Sequence, residues 1–208
     1  YYTSSNAFRA GLAAGSEWND ANIGAFSTAV GFNTTASGLG SVAMGFGANA
    51  AGNSSVALGG GNLANGFAST AIGNGSFALG NLSFAMGSSI AQGDAGVALG
   101  LNSYAGGTSS FAMGNTAQAG GEFSIAMGES IYANGDYSMA FGELATASAN
   151  NSLVFGLGSG NPVTTGANTA AFFMGDQTGV NVSAPNVFGV YGGSMIIDPS
   201  APATNLSA

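Results

Sequence analysis

The chain has 208 residues, of which 37 are glycine and only 5% are charged, with nine acids against a single base, Arg9, for a net charge of −8. With no cysteine, histidine or lysine, it cannot build a disulfide framework, a thiolate or imidazole metal site, a Ser-His-Asp triad, a lysine-dependent phosphate loop or a Schiff base. One arginine cannot neutralise several phosphates, so no nucleic-acid partner is expected, and no apolar run approaches the ~18 residues of a membrane span, so no direct membrane insertion is expected either.

Tyr1 opens the chain without a secretory-leader pattern, which reads as a processed product or a piece of something longer. Residues 1–26 are degenerate and read as an N-terminal capping segment, because terminal repeats are commonly atypical. From residue 27 a repeat takes over. The pentapeptide Ser-x-Ala-apolar-Gly begins at Ser27, Ser41, Ser55 and Ser69, then at Ser83, Gly96, Ser110, Ser124, Ser138 and Ser152, always 14 residues apart except for one step of 13 between Ser83 and Gly96. Counting the Ser as position zero, Ala recurs at +9 (Ala36, Ala50, Ala64, Ala78) and Gly at +11 (Gly38, Gly52, Gly66, Gly80), and both continue through the later copies.

Fourteen residues are too few for a helical hairpin repeat, which needs roughly 34. They suit two short parallel strands and two tight turns, one coil of a β-solenoid about ten coils long. Strand alternation puts Ser, Ala and Gly on one face and the residues at +1 and +3 on the other. The small face points into a thin coil, with Ala at +9 and Gly at +11 as its opposite wall. The other face is large and apolar: Val42/Met44, Val56/Leu58, Phe84/Met86, Val97/Leu99, Phe111/Met113, Ile125/Met127, Met139/Phe141 and Leu153/Phe155. Stacked at ~4.8 Å per coil, these residues form a stripe about 48 Å long. A stripe of that size must be buried, and the simplest partner is the same stripe on identical copies. Residues 27–156 thus form the repeat domain. Residues 157–208 lose the repeat and read as a β-rich C-terminal cap or connector that also self-associates, with short strands expected at 170–174, 186–191 and 194–197 between Gly and Pro turns.

The SVAMG and SVALG segments at 14-residue spacing, each followed by Ala-x-Gly, resemble the head repeats of trimeric autotransporter adhesins, whose Yersinia-type head is a left-handed parallel β-roll. The resemblance spans about residues 27–156. It implies a homotrimer with the +1 and +3 residues toward the threefold interface, and an extracellular place on a bacterial surface, anchored in the outer membrane through a part not in this chain. It further implies attachment to a surface glycan or a matrix protein of a target cell. The segment after Gly156 departs from that pattern, since it has neither heptads nor the basic residues of a neck. Similar repeats occur in phage fibres, so a passive shaft or spacer of an adhesin or phage tail fibre is the alternative function.

Several features are candidate sites beside that stripe. Glu122, Glu129, Asp136 and Glu143 are seven apart, half a period, so they form two acidic columns on opposite corners. A divalent cation would relieve their repulsion, while a solvated edge that keeps fibres apart needs none. Tyr104 and Tyr132 fall at +8 on the outer face of the second strand, and Trp18 stands beside Asn19 and Asp20 near the cap. Aromatic rings beside amides and carboxylates suit a sugar, although single exposed aromatics are ordinary. Gly38-Leu-Gly40-x-x-Ala43 imitates a dinucleotide fingerprint but lies in a β repeat without the strand-to-helix turn that motif needs. Asp176-Gln-Thr-Gly179 and Asp198-Pro199 read as turn chemistry. No residue set supports catalysis, so the chain is read as a non-enzyme that uses no cofactor.

Overall fold

The computed structural model describes residues 5–158, 160–164 and 166–193. The chain is an all-β parallel β-solenoid whose coils each contribute one strand to a 13-stranded sheet and one to an 11-stranded sheet. This makes about twelve turns, against the ten that the pentapeptide count predicts. The extra strands lie at the two ends. Phe8–Leu12 pairs with Thr28–Phe32, and after Leu153–Leu157 the strands Ala170–Met174 and Phe188–Tyr191 continue the same parallel sheet. The strand expected at 170–174 is present, the one expected at 186–191 begins at Phe188, and the one expected at 194–197 lies outside the described residues, as does Asp198-Pro199.

The register explains the period. Each residue pairs with its equivalent in the next coil, as in Phe111↔Ile125, Ala112↔Ala126 and Met113↔Met127. Like therefore stacks on like, and a residue type that suits one coil must suit a whole column. The Ser at zero and the Ala at +2 and +9 are buried throughout the repeat, the Ala columns completely. A third inward column stands at +7, which the pentapeptide hides: Thr34, Ala48, Asn62, Ser76, Ala117, Ile131 and Ala145 are all buried. The second half of each coil is thus a weaker copy of the first, small-x-Ala-x-Gly twice per turn, and Ser76-Phe-Ala-Leu-Gly80 shows that second half with the full pentapeptide pattern. The polar interior is satisfied only in part: the buried Thr34, Ser55, Ser69, Ser110 and Ser138 hydroxyls have no hydrogen-bond partner among the described residues. Buried Asn62 donates from Nδ2 to the Leu58 and Gly73 carbonyls at 2.6 and 2.8 Å and accepts from the Ser76 N–H at 2.8 Å.

Glycine at +4 and +11 answers to the stacking distance. A Cβ on Gly107 would stand 1.9 Å from the carbonyl oxygen of Gly121 in the next coil, and one on Gly114, where φ is +139°, would stand 1.9 Å from that of Gly128. From Gly31 to Gly142 the +4 glycines are half-buried or exposed, outside the inner wall that strand alternation predicts, whereas Gly156 is buried. Each second corner is a turn closed by a hydrogen bond from the zero-position N–H to the +11 carbonyl, for example Ser41 to Gly38 at 3.2 Å. Its third residue takes positive φ whatever its type, as at Ser54 (57°), Phe123 (53°) and Tyr137 (56°).

The ends are closed by larger groups. In the first coil Arg9 takes the place of the inward Ala, in register with Ala29. Its guanidinium donates to the Ser27 hydroxyl at 2.8 Å and to the Ser27 and Ala36 carbonyls at 3.2 and 3.0 Å, so the one cation lies over the open floor of the interior. At the other end Phe173 fills the interior, fully buried and stacked 5.0 Å from Tyr191. The turn at Asp176 forms as expected. Its carboxylate accepts from the Thr178 hydroxyl at 2.6 Å and the Thr178 N–H at 3.0 Å, and these bonds hold it below the usual carboxylate range.

Two glycine substitutions separate stacking from backbone preference. Gly107→Ala, which meets backbone, is expected to lower stability by about 3 kcal/mol or more. Gly61→Ala has positive φ but open space around it, and is expected to cost about 1 kcal/mol. The midpoints of denaturant unfolding check both, and equal losses would remove the steric account.

Candidate functional site

The apolar stripe lies on the outer face of the 13-stranded sheet. None of its sixteen named residues is buried in the single chain. Met44 and Met86 are 43% exposed, Met139 39% and Met113 37%, and Val42, Val56, Leu58, Phe84, Val97, Leu99, Phe111, Ile125, Met127, Phe141, Leu153 and Phe155 are half-buried by their own neighbours up and down the column. The column extends past the repeat. Phe141, Phe155 and Phe172 stack with ring centroids 5.1 and 4.7 Å apart, and Phe172 meets Phe188 edge-on at 6.0 Å. The stripe stands on a sheet of regular register, over a coil interior built mostly from Ala and Ser with Thr34, Asn62 and Ile131 among them.

The acidic residues separate into two columns. Glu129 and Glu143 are register partners at the end of the first strand, both exposed. At the opposite corner Asp136 accepts the Glu122 N–H at 3.0 Å, and Asn150 accepts the Asp136 N–H at 3.0 Å. The same bond recurs at this corner wherever an Asn or Asp is available: Leu39 to Asn53, Phe67 to Asn81, and Asn81 to Asp94. A side-chain oxygen of Asn or Asp at +12 thus ties the turn of the neighbouring coil wherever one of these residues stands there. Among the described residues no group of three or more acids gathers as a metal site would require.

The aromatic candidates are scattered. The Trp18 indole N–H donates to the Thr34 carbonyl at 2.9 Å, pinning the N-terminal loop to the second coil, while Asn19 and Asp20 beside it are exposed at a short 3-10 turn, Asp20–Asn22. Tyr104 and Tyr132 flank Gln118 on the outer face of the 11-stranded sheet, all three half-buried. The Tyr104 hydroxyl donates to the Gln92 side chain at 2.7 Å. Phe123 and Tyr137 form a stacked, exposed pair with ring centroids 5.2 Å apart. Sequence reasoning passed over them because they occupy the variable corner position. The signal available was their spacing of one period.

No helix among the described residues is long and apolar enough to cross a membrane. The family model described as YadA head domain repeat (2 copies) matches residues 23–48, 36–62, 64–89, 91–116, 105–128 and 133–159. A comparison with curated proteins gave no match.

The role of the +12 ladder is open to a direct check. Asp136→Asn keeps the accepting oxygen and is expected to change stability by less than about 0.5 kcal/mol, whereas Asp136→Ala is expected to cost about 1 kcal/mol. A bound divalent cation would make the Asn variant as damaging as the Ala variant in calcium-containing buffer, and thermal melts with and without calcium read the difference.

Proposed function

We propose, on the premise that this chain belongs to the YadA head family, that it is the non-catalytic head of a trimeric fibre on a bacterial surface. Its outer faces contact a glycan or matrix protein of a target cell, and its anchor in the outer membrane lies in a part outside this chain. The observation that carries the reading is the uncovered stripe. A large side chain gains roughly 1.5–3 kcal/mol on full burial, and here sixteen of them stand in two columns that only neighbours in the same stack cover in part. The Ala and Ser interior gives little in return for ordering the backbone, which costs about 1–2 kcal/mol per residue. Covering the stripe with two further copies supplies the burial that the coil lacks.

In that arrangement the 13-stranded sheet turns to the threefold axis, and the 11-stranded sheet, with Tyr104 and Tyr132, faces outward. The domain order is a capping segment at 1–26, the repeat head at 27–156 and a β-rich connector at 157–208 that extends the same trimer contact through Phe172 and Phe188. Without histidine, cysteine or lysine, carboxylates and tyrosines are left for general acid–base work. The acidic columns at Glu129/Glu143 and Glu122/Asp136 stand on corners without a pocket to tune a pKa.

Light scattering on a size-exclusion column tests the assembly. The expected mass is about 60 kDa, three times 20.0 kDa. Met113→Asp places three charges at one level of the axis and is expected to abolish assembly, leaving about 20 kDa. A monomeric wild type, or a Met113→Asp chain that assembles normally, would overturn the trimer. Attachment of the assembled head to cells or matrix proteins, set against no attachment by Met113→Asp, tests the adhesive role apart from the shaft reading.

A further inference from the structure

The coil that begins at Ser83 is one residue short. Where its neighbours read Ile72-Gly-Asn-Gly-Ser76 and Leu99-Gly-Leu-Asn-Ser103, it reads Met86-Gly-Ser-Ser89. Its first strand, Phe84–Met86, stops two residues before the strands on either side, Thr70–Asn74 and Val97–Leu101. Two serine hydroxyls stand in for the lost ladder. The Ser76 hydroxyl accepts from the Ser88 N–H at 3.1 Å, and the Ser89 hydroxyl accepts from the Met86 N–H at 3.0 Å while donating to the Ala98 carbonyl at 2.8 Å. The corner is drawn inward and the fold tolerates it without breaking either sheet.

The deletion leaves a notch of about 400 Å³, inside the usual size range of small-molecule sites, about 300–1,000 Å³. Ser88 and Asn102 line it at the corner. Phe77, Ile90, Tyr104 and Gln118 line it on the outer face of the 11-stranded sheet, where they are successive register partners. Phe77 and Ile90 are 37% and 39% exposed and form an apolar floor with the Tyr104 ring. That ring is held in place. Its hydroxyl is bonded to Gln92, and it lies over Gly106, where a Cβ would stand 2.4 Å from a ring carbon. The side-chain amides of Asn102 and Gln118 make no hydrogen bond among the described residues. No charged residue lines the notch, although the chain carries −8.

An apolar floor rimmed by free amides and a hydroxyl, without charge, fits a ligand with one apolar face and hydroxyls around its edge. We propose that the notch binds a neutral saccharide, one pyranose ring laid against Tyr104 and Ile90 with its hydroxyls on Asn102, Gln118 and Ser88. The proposal rests on the attachment role argued above, and its test reads sugar binding apart from assembly and attachment.

Saturation-transfer NMR on the full chain would use methyl β-galactopyranoside, methyl α-mannopyranoside, N-acetylglucosamine and lactose as probes, with sialyllactose as the charged comparison. At least one neutral probe is expected to bind. Tyr104→Ala should weaken it roughly tenfold, while Tyr132→Ala, two coils away, leaves it unchanged. An asparagine inserted between Gly87 and Ser88 restores the 14-residue period and should fill the notch, removing binding with the light-scattering mass unchanged. If the insertion disturbs the mass, Tyr104→Ala decides alone. The proposal is overturned if no neutral probe binds, if binding survives Tyr104→Ala, or if it persists in the restored coil. Any of these with a trimer mass and intact attachment would sink the notch and leave the head reading standing.

Discussion

The spacing between successive coils governs the rest of the molecule. Parallel backbone hydrogen bonding sets it at roughly 4.8 Å, and at that spacing the carbonyls of one coil occupy the volume that a Cβ would need at +4 and +11 in its neighbour. Glycine therefore fills most of two columns, and the carbonyl oxygens lie 1.9 Å from where Cβ atoms would be at Gly107 and Gly114, while Ala149 takes the +11 place near the end of the stack. Between those columns the two walls are close enough that only Ala, Ser and an occasional Thr, Asn or Ile fit.

A thin interior has an energetic consequence. Burial of Ala contributes little per residue, so the coil cannot be stabilised from inside in the way of a thick-cored β-sandwich. The large side chains stand instead on the outer face of one sheet, half-buried or exposed. The small residues are inside the chain and Met, Phe, Leu and Val outside it, and in the trimer proposed above the flexible methionines at Met44, Met86, Met113, Met127 and Met139 would suit the seam.

Departures from the repeat are where individual chemistry enters. Arg9 in the first coil and Phe173, against Tyr191 of the last described strand, bring larger groups into the interior near the two ends. Asn and Asp at the outer corner accept a backbone N–H from the neighbouring coil wherever they stand at +12, Asp94 and Asp136 among them. Beside the single missing residue after Gly87 lies a recess that combines an apolar floor of Phe77 and Ile90 with the amides of Asn102 and Gln118. A solenoid of identical coils presents the same surface at every level, so recognition depends on such breaks.

The sequence by itself determined the period, the parallel coil, the small inward face at zero, +2 and +9, and the stripe at +1 and +3. A column of like residues leaves its signature in one dimension, since each coil must repeat the constraint of its neighbour. It also marked the step of 13 residues without revealing what that step does. Only the tertiary structure decided the inward column at +7, where Thr34, Asn62, Ser76 and Ile131 share burial but no residue type, so no pattern announces them. It alone brought Arg9 over the floor next to Ala36, joined Trp18 to Thr34, continued the sheet to Tyr191 through longer and irregular coils, and placed Phe77, Ile90 and Tyr104 around a recess. Each of these depends on what lies above or below in the stack. A turn one residue shorter becomes a notch only when full-length coils stand on both sides of it.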